Sequence, residues 1–204
     1  MSGPRPIPML LETSTFGTIR LHRRIGHGTL RACYTIREHP GVCAKIVRPD
    51  LGLLRRLQAL VIRRRTNLVE ARTYRRLPPE IKPYFNPVLE AEPQFVVTRM
   101  PLNPDGTPAR SVHAHGRITS DGFWKHVKQI HRSLAHHRLW LFDVLNGRNM
   151  LVMERTPGDW RPLIVDYKRI GWKAFPWQVN LLLESERRRK LDRRYRTFLR
   201  RYRG

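Results

Sequence analysis

Three side chains between residues 139 and 171 have the types and spacing to handle a metal-bound phosphate. Asp143 ends the apolar run Leu139-Trp140-Leu141-Phe142, Asn149 follows in the turn-rich segment Val144 to Val152, and Asp166 ends the run Leu163-Ile164-Val165. Two short apolar runs thus flank a polar loop containing Pro and Gly, and each delivers an acidic or amide side chain at its end. That is the arrangement of a loop, a hairpin and a metal-holding carboxylate. Mg²⁺ keeps several waters and takes phosphate oxygens, so one Asn and one Asp suffice as protein ligands. The same residues also suit a plain β-hairpin whose turn Asp and Asn bond their own backbone.

A second set lies nearer the start. Val42-Cys43-Ala44-Lys45-Ile46-Val47 reads as a buried strand with one lysine among apolar neighbours. An interior strand does not normally hold an ammonium unless an anion compensates it. Glu70 is the only acid between Asp50 and Glu80, which makes it the natural partner for Lys45, although it could equally neighbour the local arginines on a helix surface. Upstream, Gly26-His27-Gly28 joins two strand-like runs, and glycines at such a turn let backbone N–H groups approach a phosphate without a Cβ in the way. An ordinary hairpin turn uses the same residues.

The elements that must position these groups follow from periodicity. Residues 1–15, with three prolines among the first eight, form a flexible Pro-rich arm. From Phe16 the pattern is strands: Thr18 to Leu21, Ile25 to Leu30, Ala32 to Ile36, then Val42 to Val47 after the turn His39-Pro40-Gly41. Leu51 to Leu77 has helical spacing, with Leu53, Leu57, Leu60 and Val61 on one face and Arg55, Arg56, Arg63, Arg64 and Arg65 on the other. Phe95 to Met100 is a further strand, and the Pro101 to Thr107 loop marks a boundary between residues 16–100 and 101–204. Phe123, Val127, Ile130 and Leu134 recur at helical spacing. Pro176 to Arg203 reads as one long helix, docked by Tyr195, Phe198 and Leu199 and presenting a basic ridge. The class is α+β.

The 204 residues carry 40 Lys and Arg against 16 Asp and Glu, a formal charge of +24 with pI near 11.5. Such a surface attracts polyanions: nucleotides, RNA, DNA or anionic lipid head groups. Cys33 and Cys43, the two cysteines, have no zinc spacing and read as small apolar filler in a reducing cytoplasm. The spacing of the histidines from His113 to His137 builds no metal site. No signal-peptide h-region and no apolar run of about 18 residues occurs, so neither export nor a membrane span is expected.

Protein kinases place an Asp, an Asn five residues later and a second Asp after the next strand around two magnesium ions, with a strand Lys paired to a helix Glu on the nucleotide phosphates. The chain resembles the YrbL-like proteins, a bacterial, kinase-related family of the PhoP regulatory network. The resemblance runs from Gly26 to the tail and rests on Gly26 to Tyr34, Cys43 to Val47, Glu70 to Leu77, Asp105 to Pro108, Asn149 to Leu151 and Val165-Asp166. It implies a compact two-lobed kinase-like fold, with an antiparallel-sheet N-lobe and a mainly helical C-lobe. It also implies ATP held by Lys45, Glu70, Gly26 and Gly28, Mg²⁺ held by Asn149 and Asp166, and an acceptor hydroxyl oriented by Asp143. The departures are specific. No His-Arg directly precedes Asp143, the Asp143-to-Asn149 interval is one residue longer than the kinase pattern, and Tyr167-Lys168 replaces Phe-Gly. Asn146 therefore competes with Asn149 as ligand, and the expectations divide between a phosphotransferase and a nucleotide-binding pseudokinase. From a different class comes a basic nucleic-acid-binding module that uses the arginine-rich helices.

Overall fold

Alternation along Arg31–Ile36 (β3) and Val42–Val47 (β4) decides which side of the first sheet becomes core. Cys33 pairs with Lys45 and Lys45 with Val96, so Arg31, Cys33, Cys43, Lys45 and Thr98 share one face, while Ala32, Ala44, Ile46 and Val97 share the other. The second face gathers Ile19, Leu21, Ile36, Ala44, Ile46, Phe95 and Val97 into one buried cluster. Each large aliphatic or aromatic side chain buried there contributes about 1.5–3 kcal/mol.

The computed structural model describes residues 9–28, 31–48, 67–156, 158–167, 181 and 183–204. The basic run Arg55 to Arg65, Lys168 and the Trp177 end of the tail pattern lie outside them. The architecture is α+β, with a six-stranded antiparallel sheet, a three-stranded antiparallel sheet and a few helices. The chain divides into two compact units, Met1–Ala71 with Pro87–Met100 and Arg72–Asn86 with Pro101–Gly204. Residues 72–86, placed by sequence with the sheet, thus group with the later residues.

In the first unit the sheet adds Leu10–Thr13 (β1), Gly17–His27 (β2), Val88–Ala91 (β5) and Phe95–Arg99 (β6), in the order β1-β2-β3-β4-β6-β5. The flexible-arm expectation is corrected for residues 10–13, which pair with Gly17–Arg20. Gly17 turns the chain between β1 and β2 with a φ of +64°, a conformation open to glycine at no steric cost. The same turn is held from the far edge of the sheet. Ser14 N–H and Thr15 N–H donate to the two Glu90 carboxylate oxygens at 2.8 and 2.9 Å, so the sheet curls until its first hairpin meets its last strand. Residues 67–75 form helix α1.

In the second unit, Arg110–Ser111 (β7), Met150–Thr156 (β8) and Asp159–Ile164 (β9) make the smaller sheet. The polar segment read as a loop is therefore mostly paired strand, with Pro162 on the outer strand where a missing N–H costs nothing. Val112–His115 (α2) is a single turn, and Asp121–His136 (α3) starts at Ser120, whose hydroxyl accepts from Phe123 N–H. Phe123, Trp124, Val127, Ile130 and Leu134 are its buried face. The tail helix is Glu184–Tyr202 (α4), shorter than the pattern suggested because Leu183 is extended. Its buried face is Leu191, Phe198 and Tyr202, with Tyr195 stacked on His131 at 4.2 Å. Among the described residues no helix is long and apolar enough to cross a membrane.

Burial raises the Glu90 carboxyl, but the bonds from Ser14 and Thr15 outweigh it and the net shift is downward. A lowered folded-state value gives stability that is present above the unfolded carboxyl range, about 4.3, and is lost as pH falls through the folded value. Glu90→Gln is expected to cost about 1–3 kcal/mol at neutral pH and to flatten the acid limb of a melting-temperature profile. Parallel wild-type and variant acid limbs would contradict this.

Candidate functional site

In the first unit, strand β4 presents Lys45 and helix α1 presents Glu70 to the polar sheet face. Lys45 Nζ donates to Glu70 Oε1 at 2.6 Å, and Glu70 is 0 % exposed. Arg31 joins them from β3: its guanidinium donates to Glu70 Oε2 at 2.7 Å and to Asn67 Oδ1 at 2.9 Å. Two cations thus share one buried carboxylate. Asn67 also donates to the Pro93 carbonyl at 3.1 Å, tying the start of the described helix to the β5–β6 turn. Sequence reasoning found Lys45 and Glu70 but missed Arg31 and Asn67. The signals were present: Asn67 precedes Glu70 by three residues, hence on the same helix face, and Arg31 alternates with Cys33, which lies opposite Lys45.

Cys33 and Cys43 sit on this face beside Lys45, as free thiols on neighbouring strands. The proximity of the two thiols lowers Cys43 against the effect of burial and, together with burial, pushes Cys33 up. Thr98 Oγ1 lies 3.3 Å from Cys43 Sγ.

Gly26 lies in β2 opposite Cys33, and Gly28 N–H donates to the Arg31 carbonyl at 2.8 Å. Among the described residues, a Cβ at Gly26 would meet nothing within 4 Å, and one at Gly28 would lie 3.9 Å from the Arg31 oxygen. The described residues leave room for a Cβ at both positions.

In the second unit, Asp143 is exposed in the short 3₁₀ turn Phe142–Val144. Asn149 Nδ2 donates to the Asp143 carbonyl at 3.1 Å, which leaves its amide oxygen as the end available to a cation. Asn146 is committed differently: its Oδ1 accepts from Arg148 N–H at 3.0 Å and closes the turn. The amide oxygen thus carries a hydrogen bond in Asn146, whereas in Asn149 it is the amide nitrogen that does. Val165 N–H donates to the Asn149 carbonyl at 2.8 Å, placing Asp166 one residue beyond the contact.

Asp166 has a φ of +57°. A left-handed non-glycine residue persists only where its surroundings over-determine it, and Val165 anchors one side. On the other, Tyr167 is fully buried, donates to the Asn86 carbonyl at 2.7 Å and meets Phe85 edge-on at 5.0 Å. The tyrosine that departs from the kinase pattern is thus the peg that fixes Asp166. Among the described residues no group of three or more His, Cys, Asp or Glu could hold a metal. One carboxylate and one amide oxygen form a hard, sparse donor set, which suits Mg²⁺ arriving with phosphate oxygens.

Gly147 explains how the loop is held. A Cβ there would overlap the Tyr202 phenol ring, while the Gly147 carbonyl accepts from His113 N–H at 2.9 Å. Helix α4 therefore closes directly on the Asp143–Asn149 turn. No protein-family model matches the chain, and no curated protein is significantly similar to it.

Removing Glu70 withdraws the carboxylate from both cations, whereas removing Lys45 leaves Glu70 with Arg31. Glu70→Gln should therefore destabilise by about 3–5 kcal/mol and exceed Lys45→Met in a denaturant titration. The reverse order would remove Arg31 from the account. Gly147→Ala should lower the melting temperature, and Gly147→Ala combined with Tyr202→Ala should cost less than the sum of the two single changes. Strict additivity would mean that the helix and the loop do not depend on that contact.

Proposed function

We propose that the chain is a kinase-like protein of the YrbL type, with a two-lobed fold, that binds ATP with Mg²⁺ and transfers the γ-phosphoryl group to a hydroxyl acceptor. The observation that carries this reading is the Lys45–Glu70 pair at 2.6 Å, buried on the polar face of a sheet whose opposite face is the apolar core. A buried pair is a poor route to stability, because desolvation offsets its Coulombic gain. An ammonium fixed in place is instead well suited to the α and β phosphates. Gly26 and Gly28 carry no Cβ that would keep a phosphate from the backbone.

Asn149 and Asp166 are the residues that would hold Mg²⁺, which when bound neutralises charge on the phosphate oxygens. Asp143 orients the acceptor hydroxyl and takes its proton. The acceptor oxygen forms a bond to the γ phosphorus, and the bond from that phosphorus to the β,γ-bridging oxygen breaks with its electron pair leaving on ADP.

A ligand present at a hundred times its Kd adds about 2.7 kcal/mol, roughly 5–10 °C in melting temperature for a chain of this size. Mg·ATP should produce such a rise in the wild type, Asp166→Asn should abolish the Mg²⁺-dependent part, and Lys45→Met should weaken it. Asp143→Asn should retain stabilisation and lose phosphoryl transfer. A wild-type melting curve unmoved by Mg·ATP would sink the reading.

A further inference from the structure

Helix α3 carries Lys125, Lys128, Arg132 and His136 on one face, each separated from the next by roughly one helical turn, about 5.4 Å. With Gln129 and Ser133 they line a groove of about 600 Å³ in the second unit. Among the described residues that line it none is acidic, and Lys125, Lys128 and Arg132 are exposed and enter no ion pair. Cations elsewhere are compensated: Arg138 meets Glu184 at 3.1 Å and Arg189 meets Glu186 at 2.8 Å. One acid does approach the groove. Glu80 accepts from Ser133 Oγ at 2.7 Å, lies 3.1 Å from His137 Nε2, and takes the Gln129 amide on its backbone carbonyl at 3.1 Å. Gln129 and Ser133 thus form the edge toward Glu80, and the cations occupy the rest of the face. At the Lys125 end, Tyr84 donates to Gln129 Oε1 at 3.2 Å and its ring meets that of His126 at 5.0 Å. Arg161 of β9 acts by charge on both Tyr84 and His126, and on His126 it outweighs the opposing Asp159. Its Nε, a donor only, is buried without a hydrogen-bond partner among the described residues, a state that costs stability and that an incoming oxyanion relieves.

We propose that the α3 groove is a nucleic-acid site, in which Lys125, Lys128 and Arg132 hold successive phosphates of a single strand. The inference does not depend on the phosphotransferase reading. Cations repeated at each turn along a groove match a linear polyanion, whose phosphates release counterions as each is neutralised. The apolar side of α3 is spent in the core, with Phe123, Trp124, Val127, Ile130 and Leu134 all buried, so the groove has nothing to insert into a bilayer and no apolar seat for a peptide side chain. Among its described lining residues there is no Trp, Tyr or Phe on which bases stack. The site therefore grips the backbone and is indifferent to sequence.

The test is fluorescence anisotropy of a labelled single-stranded oligonucleotide of mixed sequence with the full chain, titrated over a range of salt concentrations. Lys125→Gln/Lys128→Gln/Arg132→Gln should flatten the log–log salt slope by about two units, since each phosphate contact with a single strand contributes about 0.7. Arg188→Gln/Arg196→Gln/Arg200→Gln removes as many exposed charges from α4 and should change the slope by less than about one contact's worth. Lys125→Arg/Lys128→Arg/Arg132→Lys keeps the charges and should keep the slope, which separates loss of charge from damage to the helix. Equal flattening by the two neutralised variants would mean diffuse attraction and overturn the proposal, as would loss of binding in the charge-conserving variant or a wild type that binds no oligonucleotide at low salt. Polyglutamate displacing the oligonucleotide as well as an unlabelled strand of equal charge would overturn the nucleic-acid assignment.

Discussion

A carboxylate without solvent exposure, Glu70, organises the polar face of the first sheet. Its two oxygens are claimed by different strands, Oε1 by Lys45 of β4 and Oε2 by Arg31 of β3. Placing a carboxylate there has a desolvation cost of several kcal/mol, which ion pairing offsets only when the geometry is good. The arrangement therefore fixes position more than it adds stability. Helix α1 can occupy only the register in which Glu70 faces both cations, and Asn67 on the same face carries the constraint to the β5–β6 turn.

The second unit solves a similar problem with backbone and aromatic contacts. Asn146 closes the turn, Asn149 holds the Asp143 carbonyl, and Val165 holds Asn149. Tyr167 and Tyr202 then act as buried pegs on either side, one behind Asp166 and one against Gly147. Asp143 and Asp166 are consequently displayed on segments whose main chain has little freedom, a requirement for any group that must meet a reacting atom within a fraction of an ångström.

Much of this was legible in the chain. Lys45 announced itself as a lone ammonium in an apolar strand, Glu70 as a lone acid in a basic stretch, and α3 by its apolar period. Arg31 was not, because an arginine at a strand start reads as exposed until the β3–β4 register is known, and that register follows from the hairpin loop. Strands β1 and β5 were missed for a shared reason. Each is four residues long, and the acid that disqualifies Val88–Ala91 as an apolar strand, Glu90, is buried only because the distant Ser14 and Thr15 amides bind it. Tyr167 looked like a departure from a pattern, and its anchoring of Asp166 depends on Asn86 and Phe85, residues remote in sequence.

The curl of the first sheet bears on how the molecule behaves in a crowd. An open antiparallel sheet ends in two rows of unpaired amides and carbonyls, the template on which strands of another copy add. Here the two outer strands are each four residues long, and the Glu90 carboxylate draws the hairpin of one edge onto the strand of the other, so little free border is left. A formal net charge of +24 repels further copies at longer range. The chain is thus guarded against self-association at both distances, by a sheet folded back on its own margin and by its excess of positive charge.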